Sequence, residues 1–233
     1  MLKKLKFLAV TSSLGMIVLL LGGALVTKTD SGDGCGTSWP LCHGQLIPSN
    51  ITVETIIELS HRIVTGVVAI VVTVFAFLCW KYIGHIRETK TLSTIAVGFI
   101  IIQSLIGAAN VIWSQSDFIL AIHFGVSLIS FAAVFLLTLL VFEIDKKFKA
   151  ELLVIDKRMK IHTIGLFLYS FIVIYTGALV RHTESSMVCG SWPFCQSGIL
   201  SFPQNMYEWI QMGHRFAAGI LFIWIFIPLS MKY

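Results

Sequence analysis

Charge is scarce in this sequence: 12% of its 233 residues are charged, whereas 56% are hydrophobic. Soluble domains carry about 25% charged residues, so this scarcity excludes an ordinary soluble protein and leaves no room for a soluble domain of any size. The mean hydropathy of +0.87 points the same way. We therefore predict an integral membrane protein.

Long polar stretches are also lacking, because six apolar runs of about 20 residues follow one another closely. A helix of about 20 apolar residues is long enough to cross a bilayer. These runs predict an all-α fold, a polytopic bundle of six transmembrane helices. The first run follows three lysines, as in a secretory signal peptide, but it has no clear small-x-small cleavage site and matches an internal run. The predicted helices are Phe7–Val26, Ile56–Tyr82, Leu92–Trp113, Phe118–Phe142, Ile161–Val180 and Trp209–Ser230.

The basic excess, 17 Lys and Arg against 12 Asp and Glu, follows membrane topology. Thirteen of the 17 lie in the N-terminus, the second and fourth loops and the C-terminus, which share one side of the membrane. The other side holds only Lys28, Arg62, Arg181 and Arg215. The positive-inside rule places both termini in the cytoplasm, so we predict membrane lipid, and no nucleic acid, as a partner.

Two parts of the chain are copies of each other. The run Gly-Ala-Leu-Val begins at Gly23 and at Gly177, and Trp-Pro-x-Cys begins at Trp39 and at Trp192. Matches at one nearly constant spacing indicate a parallel duplication. The second copy lacks counterparts of the third and fourth helices, because the sequence ends at Tyr233. We predict a four-helix N-terminal half at 1–145, a cytoplasmic linker at 146–160 and an incomplete two-helix C-terminal half at 161–233.

Cysteine is rare, and four of the five cysteines form two pairs in outer loops, Cys35 with Cys42 and Cys189 with Cys195. Disulfides persist on the oxidising side of a membrane, so we interpret each pair as an intra-loop disulfide that fixes a small cap over the helix ends. Reduced pairs without a role remain an alternative, as does a dithiol relay between the loops. Cys79, near the inner end of the second helix, is predicted to serve packing.

Three histidines lie inside apolar runs at similar depth. His61 and His214 each follow a predicted helix cap, Thr52 and Asn205, by nine residues, which is roughly 13 Å along a helix. His123 lies at a similar level on the fourth helix. Ionisable side chains are costly within a membrane and are usually functional there. The other histidines are predicted to be interfacial or solvated: His43, His85, His162 and His182.

Two imidazoles at one level on parallel helices can bind a planar metal cofactor from both faces. Haem with two axial histidines fits this arrangement, whereas zinc would require further ligands, with Cys or carboxylate among them. Arg62 and Arg215 directly follow two of the histidines, and we predict that they pair with haem propionates. The alternatives are snorkelling of both arginines toward headgroups and plain interhelical hydrogen bonding by the histidines.

One acidic residue distinguishes the two copies. Glu58 precedes His61 by three residues on the same helix face, whereas Gln211, an amide that cannot exchange protons, precedes His214. A carboxyl group one turn from a metal ligand can act as acid or base, so we predict chemistry at Glu58 in the first half and electron storage in the second. The alternative is that Glu58 only favours the start of its helix.

These features together resemble haem A synthases of the bacterial type, over essentially the whole chain. Members of that family have two four-helix halves and oxidise a ring methyl group of haem O, through an alcohol, to the formyl group of haem A for terminal oxidases. A further haem-ligating histidine of the family lies in its last helix, beyond Tyr233 here. The resemblance rests on Gly22-Gly23-Ala24-Leu25-Val26-Thr27, Trp39-Pro40-Leu41-Cys42, Glu58-x-x-His61-Arg62, His123 and Gly213-His214-Arg215.

The resemblance implies a role for each residue. His61 and His123 would be the axial ligands of the substrate haem O, His214 a ligand of a haem b cofactor, and Glu58 the catalytic acidic residue. The cysteine pairs would be the loop disulfides, and a haem O synthase that supplies the substrate is a further expected partner. Two other functions stay open: a membrane thiol–disulfide oxidoreductase that uses the loop cysteines, and a non-catalytic b-type haem electron-transfer protein.

Overall fold

The computed structural model of the chain describes residues 2–113, 117–143, 156–195 and 202–230. Within these residues, six helices are long and apolar enough to cross a membrane. This finding confirms the predicted all-α bundle of six transmembrane helices. In chain order they are α1 (Leu2–Lys28), α2 (Val53–Ile83), α3 (Arg87–Ile112), α4 (Asp117–Glu143), α5 (Lys157–His182) and α6 (Met206–Ser230).

Each helix begins earlier than its predicted apolar run, and polar side chains cap the starts of α2, α5 and α6. Thr52 Oγ1 accepts a hydrogen bond from the Thr55 N–H at 3.2 Å and caps α2, as predicted. Before α6, Asn205 Oδ1 accepts from the Glu208 N–H at 2.9 Å, and the Glu208 carboxylate accepts from the Gln204 N–H at 2.8 Å. These caps satisfy amide groups that the first helical turn leaves unpaired.

The fold divides into two compact units. The first comprises Met1–Ile119 and Val126–Phe148, and the second comprises Lys149–Tyr233 with the short stretch Leu120–Gly125 of α4. The predicted linker, 146–160, lies outside the described residues as far as position 155. The division of the chain at 145 and 161 therefore stays a prediction.

The first unit has a core to which α1, α2, α3 and α4 all contribute. Hydroxyl groups join the helices within it: Ser13 and Thr138 share a hydrogen bond of 2.9 Å, and Ser130 Oγ donates to the Ala96 carbonyl at 3.1 Å. Such bonds matter in a bilayer, where lipid tails offer polar groups no partner. Fully buried core residues include Met16, Val72, Phe75, Cys79, Ile100, Val134 and Leu137.

In the second unit, α5 and α6 pack through a tryptophan. A Cβ at Gly165 would be only 2.9 Å from the Trp224 ring, so glycine permits the close approach of the two helices. Trp224 Nε1 donates to Nδ1 of His162 at 3.0 Å. His162, predicted to be interfacial, therefore joins α5 to α6 through this bond. Further along α5, the Tyr175 hydroxyl lies against Gly125, where any side chain would collide with it.

Candidate functional site

The loop between α1 and α2 is attached to the start of α2. Its disulfide joins Cys35 and Cys42, as predicted. The Cys35 N–H donates to Glu58 Oε2 at 2.6 Å, and Thr55 Oγ1 donates to the Gly34 carbonyl at 2.8 Å. A Cβ at Gly34 would be 2.5 Å from the backbone of α2, so glycine is required for this contact. We call residues 29–45 the first cap.

The loop between α5 and α6 repeats this attachment at the start of α6. Its disulfide joins Cys189 and Cys195, again as predicted. The Cys189 N–H donates to Gln211 Oε1 at 2.8 Å, and Gln211 Nε2 donates to the Ser186 carbonyl at 2.6 Å. We call residues 183–195 the second cap. The Glu58 carboxylate on α2 and the Gln211 amide on α6 thus accept equivalent backbone hydrogen bonds, one from each cap.

The two caps share finer details as well. Each contains a residue in the left-handed conformation at the equivalent position, Asp30 with φ of 50° and Glu184 with φ of 53°. A hydrogen bond joins the two hydroxyl groups that flank this residue, at 2.6 Å in the first cap and 2.7 Å in the second. A cis peptide bond precedes the proline of each Trp-Pro pair. The duplication seen in the sequence is therefore present in the three-dimensional structure.

Both arginines bind the carbonyl groups of their own cap. Nη1 of Arg62 donates to the Ser38 and Leu41 carbonyls at 2.8 Å each. Nη1 of Arg215 donates to the Ser191 carbonyl at 2.6 Å. In each half, Nη1 of the arginine thus holds the cap over the helix that carries the histidine.

The partners of the remaining arginine nitrogens differ between the halves, because only the first half has a carboxylate four residues before its arginine. Glu58 is 4% exposed, and its Oε1 accepts from Nε of Arg62 at 3.1 Å and also from Nη2 of Arg62. Gln211 forms no such pair within the described ranges, and neither Nε nor Nη2 of Arg215 has a protein partner there. The two sites therefore share their geometry and differ in charge.

The imidazole of His61 lies against two glycines of α1. A Cβ at Gly22 would be 2.9 Å from Nδ1 of His61, and a Cβ at Gly23 would be 3.5 Å from Cε1. Across the described part of the chain, no group forms a hydrogen bond with this Nδ1, which is buried. The glycines thus allow the ring to contact the α1 backbone without giving it a polar partner.

The imidazole of His214 lies against α5 in the equivalent way. A Cβ at Gly177, the counterpart of Gly23, would be 2.9 Å from Cε1 of His214. Nδ1 of His214, however, is 3.0 Å from Oγ1 of Thr176. The two rings therefore have the same glycine contact and a different environment at Nδ1.

His123 lies on α4, in the stretch that groups with the second unit, whereas His61 belongs to the first unit. A shared haem between these two side chains therefore stays a prediction. His43 is part of the first cap, where its Nε2 is 3.0 Å from the Gly34 carbonyl oxygen. Cys79 is buried in the core of the first unit, which agrees with its predicted packing role.

Both helix-bound imidazoles leave one ring nitrogen available for a haem iron, and His214 also has a partner for its other ring nitrogen. A histidine that binds a metal through one ring nitrogen usually donates the other N–H to a nearby group. Nε2 of His61 and of His214 has no hydrogen-bond partner among the residues that the structure describes. The same residues contain no group of three or more His, Cys, Asp or Glu side chains that could hold a bare metal ion.

Sequence reasoning missed the residues that position the rings, namely Gly22, Gly177 and Thr176. A signal was present, because Gly22-Gly23 and Thr176-Gly177 occupy the same place in the two copies. Spacing could not reveal their contacts, since a whole outer loop separates each of these positions from the histidine that it meets.

Residues 6–233 match the family model COX15-CtaA, described as cytochrome oxidase assembly protein. The chain is 59% identical to the protein named heme A synthase from Lysinibacillus sphaericus (strain C3-41), over 95% of this chain and 72% of the relative. The proteins named heme A synthase from Geobacillus thermodenitrificans and Bacillus cereus (strain AH187) are each 56% identical to this chain. These matches cover 96% and 95% of this chain, and 70% and 71% of the relatives.

Proposed function

This chain belongs to the COX15-CtaA family of cytochrome oxidase assembly proteins, and from that premise we propose that it oxidises a ring methyl group of haem O stepwise to the formyl group of haem A. It is a multi-pass membrane oxidoreductase of haem A biosynthesis. The observation that carries the proposal is 59% identity to a heme A synthase over 95% of this chain. The imidazoles of His61 and His214, each on a helix beneath a cap, are of the kind that binds haem iron.

The substrate haem O is held, in this proposal, between His61 and His123. Support comes from the His61 ring, which lies against Gly22 and Gly23 and has no protein partner at Nε2 in the described ranges. Helices α2 and α4 are separated by a single helix in the chain, so both cross the membrane in the same direction. His123 lies at a depth along α4 similar to that of His61 along α2, since it follows Asp117, the first residue of α4, by six residues.

Glu58 is the proposed proton acceptor for this oxidation. The methyl carbon loses protons as well as electrons, and a carboxylate one helical turn from the ligand can take up a proton. Oε1 of Glu58 already accepts two hydrogen bonds from Arg62, whereas Oε2 accepts one from the Cys35 N–H. Each carboxylate oxygen has two lone pairs, so Oε2 is the atom with capacity left for the proton.

His214 is the proposed ligand of a haem b cofactor in the second half, with Nε2 as the binding atom. Haem b supplies one-electron transfer when it is bound. Arg215 retains Nε and Nη2 for a propionate, because these nitrogens have no protein partner in the part of the chain that is described. Arg62 donates the same two nitrogens to Glu58, so the propionate role has stronger support for Arg215 than for Arg62.

The cysteine caps lie on the outer side of the membrane in this proposal, and both termini lie in the cytoplasm. Support comes from the concentration of Lys and Arg on the opposite side and from the two disulfides, which require an oxidising compartment. Membrane lipid surrounds the helices, and a haem O synthase in the same membrane supplies the hydrophobic substrate.

Haem analysis of the full chain tests this function. The protein is expressed in a membrane that contains haem O, purified in detergent, and its haems are extracted and separated by chromatography. We expect haem A from the unchanged chain and none from His61→Ala. Purified, folded protein that contains no haem of any kind would overturn the proposal.

A further inference from the structure

The duplication places threonine at position 176 of α5 and glycine at position 22 of α1. Oγ1 of Thr176 is 3.0 Å from Nδ1 of His214, and it is also 3.0 Å from the carbonyl oxygen of Val173. Gly22 offers no side chain to His61, whose buried Nδ1 has no hydrogen-bond partner within the described residues. The two imidazoles therefore differ in how firmly their second nitrogen is held.

The direction of the two hydrogen bonds follows from the available protons. The hydroxyl of Thr176 has one proton, and the Val173 carbonyl can only accept it. Oγ1 then has lone pairs left for the imidazole, so Nδ1–H of His214 donates to Thr176. This arrangement selects the tautomer with its proton on Nδ1 and leaves the lone pair of Nε2 available for a metal.

We infer that Thr176 is a positioning residue that makes His214 a firmly bound haem ligand, and that Gly22 leaves His61 an exchangeable one. The inference rests on the proposed function, in which both histidines bind haem. A resident cofactor stays bound through many turnovers, whereas a substrate haem has to arrive and its product has to leave. The fixed imidazole thus lies in the half with the cofactor, and the less constrained imidazole lies in the half with the substrate.

Packing maintains this difference between the halves. A Cβ at Gly22 would be 2.9 Å from Nδ1 of His61, which is closer than ordinary van der Waals contact. A threonine at position 22 would therefore push the His61 ring away and could not copy the bond made by Thr176. The substrate-side imidazole is kept without a hydroxyl partner by the close approach of α1 to α2.

The tautomer can be measured without any haem, by 15N NMR of the histidine side chains in the detergent-solubilised full chain, with the His214 signals assigned from their loss in His214→Ala. We expect the proton of His214 on Nδ1 in the unchanged chain and in Thr176→Ser, and a mixture of tautomers in Thr176→Val. Thr163→Val is the matched control, because that hydroxyl, on the same helix, donates only to the Met159 carbonyl at 2.9 Å. An unchanged tautomer in Thr176→Val would overturn the inference.

Haem binding is then measured with haem b in a His61→Ala/His123→Ala background, which removes both proposed ligands of the first half, so that the measurement reports the second half. Loss of the partner of a ligating histidine lowers affinity by roughly 10- to 100-fold, so Thr176→Val should bind haem b that much more weakly. The iron–histidine stretching frequency of the reduced haem should fall as well, because the ligand becomes less basic. Thr176→Ser should restore both values.

Equal haem b affinity in Thr176→Val and in the background chain would overturn the positioning role. If no variant binds haem b at His214 while the tautomer still depends on Thr176, the proposed ligand role of His214 fails and the hydrogen-bond assignment stands. The two failures are therefore distinguishable.

Discussion

In the first cap the Cys35 N–H donates to a carboxylate, and in the second cap the Cys189 N–H donates to an amide, at 2.6 and 2.8 Å. Both caps are closed by a disulfide and held by an arginine on the next helix turn. The bond that shapes the loop therefore does not require charge. What the charge of Glu58 adds is an ion pair with Arg62 and a group that can take a proton.

Replacing the imidazole of either half should have the largest effect on haem content and conversion. We expect His61→Ala to abolish haem A formation, since the substrate loses an axial ligand, and His214→Ala to lose bound haem b and slow the conversion. Chromatography of extracted haems measures both. His85→Ala, at an exposed position between α2 and α3, should match the unchanged chain. Normal haem A production by His61→Ala would exclude the proposed substrate site.

Glu58→Gln converts the first site into the arrangement already present in the second. We expect haem binding to persist and haem A formation to stop, because the amide preserves the acceptor for the Cys35 N–H but cannot take a proton. Loss of the charged hydrogen bonds to Arg62 should lower the free energy of unfolding by about 1.5–3 kcal/mol. Haem extraction and thermal unfolding in detergent measure the two effects. Haem A formation at the normal rate would show that Glu58 serves the cap alone.

Removal of the disulfides asks whether the caps have a redox role. Cys35→Ser/Cys42→Ser and Cys189→Ser/Cys195→Ser should each lower stability by about 2 kcal/mol, and by similar amounts, because the paired cysteines are 7 and 6 residues apart. Conversion measured well below the unfolding temperature should persist. A thiol relay would give the opposite pattern, with conversion lost and thermal stability unchanged.

The reciprocal change, Gln211→Glu, should have the smallest effect. The new carboxylate can pair with Arg215, but it loses the Nε2–H that donates to the Ser186 carbonyl at 2.6 Å. These opposing changes should leave stability within about 1 kcal/mol, which thermal unfolding can measure. No additional haem A should form, since no substrate lies in that half. A gain in conversion would show that the two halves are chemically equivalent.

Much of the fold was predictable because the bilayer imposes simple rules. Six runs of the required length predicted six helices, and the caps Thr52 and Asn205 marked the starts of two of them. The cysteine spacing predicted both disulfides. Helix starts were placed too late, because each helix includes polar residues ahead of its apolar run, and at α2, α5 and α6 a polar side chain caps that extension.

The contacts within the site could not be predicted in the same way. The Glu58–Arg62 ion pair joins residues four apart on one helix face, a spacing that permits such pairs without requiring them. The Cys35–Glu58 and Thr176–His214 bonds join residues 23 and 38 positions apart. The first depends on how a loop packs on α2, and the second depends on how α5 and α6 pack. No local pattern contains that information.

The sequence by itself determined the membrane class, the helix number, the duplication and the identity of the three intramembrane histidines, because each depends on composition or on periodic spacing. Only the tertiary structure decided that Glu58 lies under the first cap with Arg62, and that His214 has a hydroxyl partner which His61 lacks. Those outcomes depend on a close approach of α1 to α2 and of α5 to α6, where a Cβ at Gly22 or Gly177 would be 2.9 Å from the histidine ring of the neighbouring helix. The distance between packed helices is set by all of their side chains together.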